Sequence, residues 1–326
     1  MTAVTGELLS PALGVAIDDI DLSRPLPGEA RDRVVAALLE HHAVLFPRQT
    51  LSREEQYEFT AQLGEVEQHG GGRPGKRQDI AHVTANLDAD GNPSDRFAKG
   101  ANYRWHTDKP YYAAPPALTT LYAAELPPEG GDTEFANTAL AYEALPEATK
   151  LRIAGLRVVF QWEHGRRPGY YANELPPVAH PLVRTHPETG RKALYLGNHA
   201  IKIEGTEKGE EAALIDELLA HATQPPFTYA HRWRQGDLVV WDNRCLLHRA
   251  VANYEMTRYR RVMHRNVIKG TVPFRPIRSS FRARPQGEPG THAHRLQLEM
   301  YWRSVNFIIP RSWGPGSRYR ARREDE

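Results

Sequence analysis

Among 326 residues there is a single cysteine, Cys245, so no intrachain disulfide can form and a reducing compartment fits. No apolar run reaches membrane-spanning length. The opening Met1-Thr2-Ala3-Val4 lacks the basic segment and apolar stretch of a secretory leader. These absences predict a soluble, cytoplasmic protein that engages no membrane. The net charge is only +2, which removes any general reason to expect nucleic acid as a partner. Also missing are G-x-G-x-x-G, a P-loop, C-x-x-C and G-x-S-x-G, so dinucleotide, nucleotide, dithiol and serine-hydrolase chemistry lose their usual carriers. No internal repeat is visible.

What is present is ordinary globular material, 40% hydrophobic and 25% charged, with enough apolar surface for a real core. The charge is unevenly placed. Residues 271–326 hold 11 Arg, no Lys and five acidic residues, a net +6 that leaves −4 for the first 270. The expected organisation is one domain over 1–270 and an Arg-rich extension, 271–326, packing on the core or on a neighbouring subunit. A self-associating chain follows from that reading.

Val34, Val35, Leu38 and Leu39 recur at helical spacing within 29–42. Ala43-Val44-Leu45-Phe46 reads as a short buried strand, and Ser52 with Glu55 as a capping box opening a helix to about Leu63. The polar, Gly-rich stretch 70–100 reads as a long loop and a candidate lid. Beyond it, strand-like runs dominate: Leu118–Ala124, Arg157–Trp162, Ala193–Leu196, Asp237–Trp241 and Arg261–Ile268, interrupted by one helix over about 208–222. That pattern favours an antiparallel sandwich or barrel flanked by helices.

The chemistry centres on Asn102-Tyr103-Arg104-Trp105-His106-Thr107-Asp108. In an extended strand His106 and Asp108 point the same way, two thirds of a facial metal triad that leaves other coordination positions open. Downstream, Gly130-Gly131-Asp132-Thr133 is a turn entering a strand, and the two glycines allow a backbone other residues follow only at a cost. Leu238–Trp241 leads into Asp242-Asn243-Arg244 and His248, a strand, polar turn and projected ligand. In Arg260–Arg265, alternation puts Arg261 and Arg265 on one face, where two guanidinium groups repel unless an anion lies between or above them. Rival signals have plainer readings. His186-Pro187-Glu188 sits in a Thr185–Gly190 hairpin turn, His199 follows Gly197-Asn198 as a turn histidine, and Cys245 is a packing residue.

The order His106-x-Asp108, Thr133, His248, Arg261 resembles the Fe(II)/2-oxoglutarate dioxygenases of the taurine dioxygenase and 2,4-dichlorophenoxyacetate dioxygenase family, over about residues 6–270. The resemblance implies a mainly β fold with flanking helices and a double-stranded β-helix (jelly-roll) core. It implies His106, Asp108 and His248 as iron ligands, and Arg261 with Thr133 as the anchor of 2-oxoglutarate. Arg265, Asn102, His69 and Lys109 would face the substrate. The implied reaction uses O2, releases succinate and CO2, and hydroxylates a small anionic organic substrate (a carboxylate, sulfonate or sulfate) at an aliphatic carbon. Gly72 replaces an aromatic of the taurine-cleaving members, and Lys109 directly follows Asp108, which points to a bulkier anion than taurine. The alternative is a zinc-dependent hydrolase built on the same triad, which has no use for the Arg261/Thr133 pair.

Overall fold

The computed structural model describes residues 6–68, 80–96, 98, 100–162, 175–204, 206 and 210–274. Two short strands, β1 (Glu7–Leu8) and β2 (Val15–Ala16), precede helix α1 (Gly28–His41), strand β3 (Ala43–Phe46) and helix α2 (Arg53–Leu63). α1 buries Val34, Ala37 and Leu38, and stops where His42 adopts the left-handed conformation, with its N–H donated to the Leu38 carbonyl. α2 opens on the expected capping box: the Ser52 hydroxyl accepts from the Glu55 N–H, and the Glu55 carboxylate accepts from the Ser52 N–H. Its buried residues Gln56, Phe59, Thr60 and Leu63 recur at helical spacing and make the face that meets the sheet.

The rest of the chain is mostly strand. β4 (His82–Ala85), β5 (Leu118–Glu125) and β6 (Thr133–Asn137) are followed by helices α3 (Thr138–Ala144) and α4 (Glu147–Ile153). Then come β7 (Arg157–Phe160), β8 (Val178–Pro181), β9 (Val183–Thr185), β10 (Lys192–Leu194) and β11 (Ala200–Glu204). Helix α5 (Glu210–Ala222) leads to β12 (Thr228–His231), β13 (Leu238–Asp242), β14 (Leu246–Ala250) and β15 (Val262–Ile268). Seven strands form one sheet in the order β1-β2-β3-β13-β5-β15-β4, antiparallel except where β2 runs parallel to β3. Three-stranded sheets β12-β6-β14 and β11-β7-β8 and the hairpin β9–β10 complete the mainly β architecture.

Alternation along β5 explains how the large sheet serves two purposes. Leu118 and Tyr122 pack toward α1 and α2, with Val44, Phe46, Phe59 and Leu63. Leu121 and Ala123 face the other way, against Phe135 of β6, Leu246 of β14, Trp241 and Met263. Thr119 shares that inner face. The two sheets therefore enclose a layer in which polar side chains of β5, β6, β14 and β15 can meet.

Several expectations shift. The 70–100 stretch is not loop throughout, because β4 pairs with β15 and Asp88–Asn92 forms a tight turn. Residues 70–79, 97 and 99 of the proposed lid lie outside the described residues, as does the extension from 275 onward. Its first residues, 271–274, end on the β9 edge, where the Phe274 carbonyl accepts from the Thr185 N–H. No described helix is long and apolar enough to cross a membrane.

Candidate metal centre

The segment before Asp108 is less regular than a strand. Ala101–Tyr103 is a 3-10 turn, and His106 forms a single antiparallel bridge to His248. That bridge is reciprocal: His106 N–H donates to the His248 carbonyl at 3.0 Å and His248 N–H to the His106 carbonyl at 2.8 Å. Lys109 then takes a φ of 46°, and Pro110 follows, which ends any extension. The bridge does what the expected strand would have done, setting the two imidazole rings 4.1 Å apart, centroid to centroid.

One ligand atom each from His106, Asp108 and His248 lie within 4.8 Å of one another, and all three residues are buried. The Nδ1 of His106 lies 2.8 Å from the Arg104 carbonyl. That contact assigns the proton to Nδ1 and leaves the Nε2 lone pair open. His248 Nδ1 is buried and has no hydrogen-bond partner. Burial pushes both imidazoles below their ordinary pKa, that of His248 strongly, so both are neutral and hold a lone pair without releasing a proton. Burial alone would raise the Asp108 carboxyl, but the Arg265 guanidinium, with a hydrogen bond from Thr119, holds it well below the usual carboxylate range. Two neutral imidazoles and one carboxylate, buried with unsatisfied nitrogen, fit a divalent first-row ion.

Behind Asp108 stands a support that sequence reading missed. The Thr119 hydroxyl donates to Asp108 Oδ2 at 2.6 Å and accepts from Asn243 Nδ2 at 2.8 Å. Asn243 in turn accepts from Trp241 Nε1 through Oδ1, and its backbone carbonyl accepts from the Thr107 hydroxyl. The chain of donors fixes the hydroxyl's direction and hence the carboxylate plane. The signal in the sequence was a polar residue on the otherwise apolar inner face of β5.

The cosubstrate residues converge as a second group. Arg261 is 6% exposed, and among the described residues it pairs with no carboxylate. Its Nε donates to the Gly131 carbonyl at 2.8 Å and its Nη2 to the Thr133 hydroxyl at 3.3 Å. Thr133 Oγ1 also accepts from Trp233 Nε1 at 2.9 Å, so its own proton is left to donate elsewhere. Trp233 had no signal in the sequence. Gly130 and Gly131 both have positive φ, and a Cβ at Gly131 would lie 3.1 Å from Arg261 Cδ, so the turn must be glycine to let the arginine through.

Arg265 reaches the triad: its Nη1 lies 3.1 Å from Asp108 Oδ1, while its Nε is buried without a partner. Lys109 is drawn instead to Glu67, with Nζ 2.6 Å from Oε1, so its charge is already neutralised and it is no free cation for a substrate. Asn102 is exposed within the 3-10 turn four residues before His106. His69 and Gly72 lie outside the described residues. His199 does lie in a turn, buried, with its ring stacked on Trp162 at 5.9 Å.

A second buried group, His186, Asp242 and Cys245, has metal-like spacing but opposite character. Asp242 accepts from Arg244 Nε at 2.8 Å and Nη2 at 2.6 Å, and faces His186 Nε2 at 2.9 Å. Arg244 Nη1 grips Glu188 at 2.7 and 2.8 Å. The Thr189 N–H donates to His186 Nδ1, so both imidazole nitrogens are used. Cys245 Sγ lies 3.2 Å from His42 Nδ1, and burial pushes its thiol well above the ordinary value, which makes it inert. His186-x-Glu188 thus belongs to the β9–β10 hairpin turn, as expected, and closes an ion-pair network.

Residues 5–266 match the family model described as taurine catabolism dioxygenase TauD, TfdA family. Over 277 residues the chain is 38% identical to the alpha-ketoglutarate-dependent 2,4-dichlorophenoxyacetate dioxygenase of Burkholderia sp. (strain RASC), covering 78% of this chain and 91% of that protein. It is 31% identical over 280 residues to the alpha-ketoglutarate-dependent sulfate ester dioxygenase of Pseudomonas putida, covering 80% and 88%. Among solved structures, AAD-2 in complex with Mn(II) and N-oxalylglycine superposes with a TM-score of 0.74 at 31% identity, covering 82% of this chain and 99% of that one.

Proposed function

The chain belongs to the taurine catabolism dioxygenase TauD, TfdA family, and on that footing we propose a non-haem Fe(II)- and 2-oxoglutarate-dependent dioxygenase with His106, Asp108 and His248 as the iron ligands. These three residues would hold Fe(II), which would supply the redox chemistry that couples conversion of 2-oxoglutarate and O2 to succinate and CO2 with entry of one oxygen atom into the substrate. The scaffold is a double-stranded β-helix, a reading supported by the seven-stranded sheet facing β12-β6-β14 across the polar layer.

The single observation that carries the reading is a charge imbalance. One buried guanidinium, Arg261, and one half-buried guanidinium, Arg265, stand beside a single carboxylate, Asp108, and two neutral imidazoles. A divalent ion adds two further positive charges. A dianionic keto-diacid and a monoanionic substrate together restore neutrality, which a buried site requires. Arg261 and the spare Thr133 proton take the distal carboxylate of 2-oxoglutarate. Arg265, within reach of Asp108, takes the acidic head of the substrate, a small carboxylate, sulfonate or sulfate. A zinc hydrolase would leave Arg261 with nothing to bind. The Arg-rich extension, 271–326, is read as a subunit-contacting segment of a homo-oligomer.

The test is succinate formation from 2-oxoglutarate with Fe(II) and O2 against a panel of aryloxyalkanoates, alkyl sulfates and sulfonates. One class should stimulate turnover. Arg265→Ala should raise the substrate KM on the order of 100-fold and leave the 2-oxoglutarate KM within about threefold. Equal changes in both would remove the head-group role.

A further inference from the structure

Arg261 is clamped from three directions, by Asn86 Oδ1 on its N–H at 2.7 Å, by Gly131 on Nε and by Thr133 on Nη2. The loop after β14 is tied to the same clamps from both ends. Asn253 Oδ1 accepts from the Gly131 N–H at 2.8 Å, and Gly130 approaches so closely that a Cβ there would lie 2.2 Å from the Asn253 carbonyl. Asn86 Nδ2 donates to the Met256 and Tyr259 carbonyls at 2.7 and 2.9 Å. Tyr254 lies between these fastenings. Its hydroxyl is buried, makes no well-formed hydrogen bond, and lies beside the Tyr103 hydroxyl within the field of Arg261. A phenol buried this way is costly to leave unmatched, and the charge it faces is a guanidinium with no acid partner among the described residues.

We propose that the Tyr254 hydroxyl is a third hydrogen-bond donor to the distal carboxylate of 2-oxoglutarate, beside Arg261 and Thr133. The inference rests on the cosubstrate reading above and adds a residue to it. A carboxylate accepts about four hydrogen bonds. The guanidinium fork and the Thr133 hydroxyl leave at least one lone pair to fill. A neutral donor fills it without adding to a site already rich in positive charge. Burial pushes the Tyr254 phenol up, so it keeps its proton. The consequence is selectivity: Tyr254 should favour a keto-diacid over a keto-acid that lacks the second carboxylate.

The experiment is calorimetric titration of Mn(II)-loaded protein, without O2, using 2-oxoglutarate and 2-oxopentanoate on wild type and Tyr254→Phe. The variant should bind 2-oxoglutarate about tenfold more weakly and 2-oxopentanoate unchanged. Equal binding of 2-oxoglutarate by both proteins overturns the proposal, and so does an equal loss for both ligands, which marks a merely structural role. If the wild type itself ignores 2-oxoglutarate, the cosubstrate reading fails first. Should Tyr254→Phe not fold, the wild-type near-ultraviolet difference spectrum decides. 2-Oxoglutarate, and not 2-oxopentanoate, must red-shift a tyrosine band, and its absence overturns the proposal.

Discussion

Asp242 and His248 are neighbours along the chain, at the end of β13 and within β14, yet they belong to two buried polar clusters of opposite design. Around Asp242, Arg244 pairs with Asp242 and Glu188, His186 Nε2 faces the Asp242 carboxylate, and both nitrogens of the histidine are occupied. Around His248, the Nδ1 has no partner and the facing His106 leaves Nε2 open. Both groups have ligand-like spacing. Spacing therefore does not separate a metal centre from a structural ion-pair network; unfilled valence does. A protein keeps polar atoms unmatched in its interior where something else is meant to match them.

The comparison can be broken most directly at Asp108. Asp108→Ala should abolish both Mn(II) uptake, measured by electron paramagnetic resonance, and succinate formation; retained turnover would put the site elsewhere. At the closed cluster the effect should fall on folding. Arg244→Ala strands Asp242 and Glu188 in the interior and should cost about 3–5 kcal/mol of stability in denaturant melts. The surviving folded fraction should keep its specific activity. A melt like the wild type's would mean the network is idle.

Acid should act on the closed cluster through His42, whose pKa burial pulls down to about 4. The unfolded imidazole titrates near 6.5, so between pH 6.5 and 4 the unfolded state binds more protons than the folded one. Stability from His42 is complete above about 6.5 and is lost as pH falls through that window, by at most about 3 kcal/mol. His42→Asn, which tolerates the left-handed backbone there, should melt with a flatter pH dependence over that range. Parallel curves would dismiss the assignment. The smallest effect is expected behind the open cluster. Thr119→Val frees Asp108 Oδ2 and should weaken Mn(II) binding about 10–100-fold, with Thr119→Ser restoring most of it. No change would show the carboxylate needs no such hold.

Much of this was legible before any coordinates. The Ser52/Glu55 box, the 3.6-residue rhythm of α1 and the apolar run Ala43–Phe46 are local signals, and they hold because local energetics and tertiary packing agree there. The triad residues and the Thr133–Arg261 pair also come together. What stayed hidden depends on partners far along the chain. Lys109 is held in an ion pair by Glu67, and Arg265 leans on Asp108. Thr119 is ordinary strand threonine until Asn243 lies against it. The extended strand expected to carry His106 and Asp108 is not formed, because among the described residues its one bridge partner is His248 of β14, so a single bridge replaces a run.

That single bridge also bears on how the protein handles loss of its ion. Because each histidine's main chain holds the other's, both imidazoles are docked in place by the fold and owe their position to no chelated atom. Treating the enzyme with EDTA should then leave the melting profile two-state, and returning ferrous salt should restore turnover in seconds, with no refolding lag.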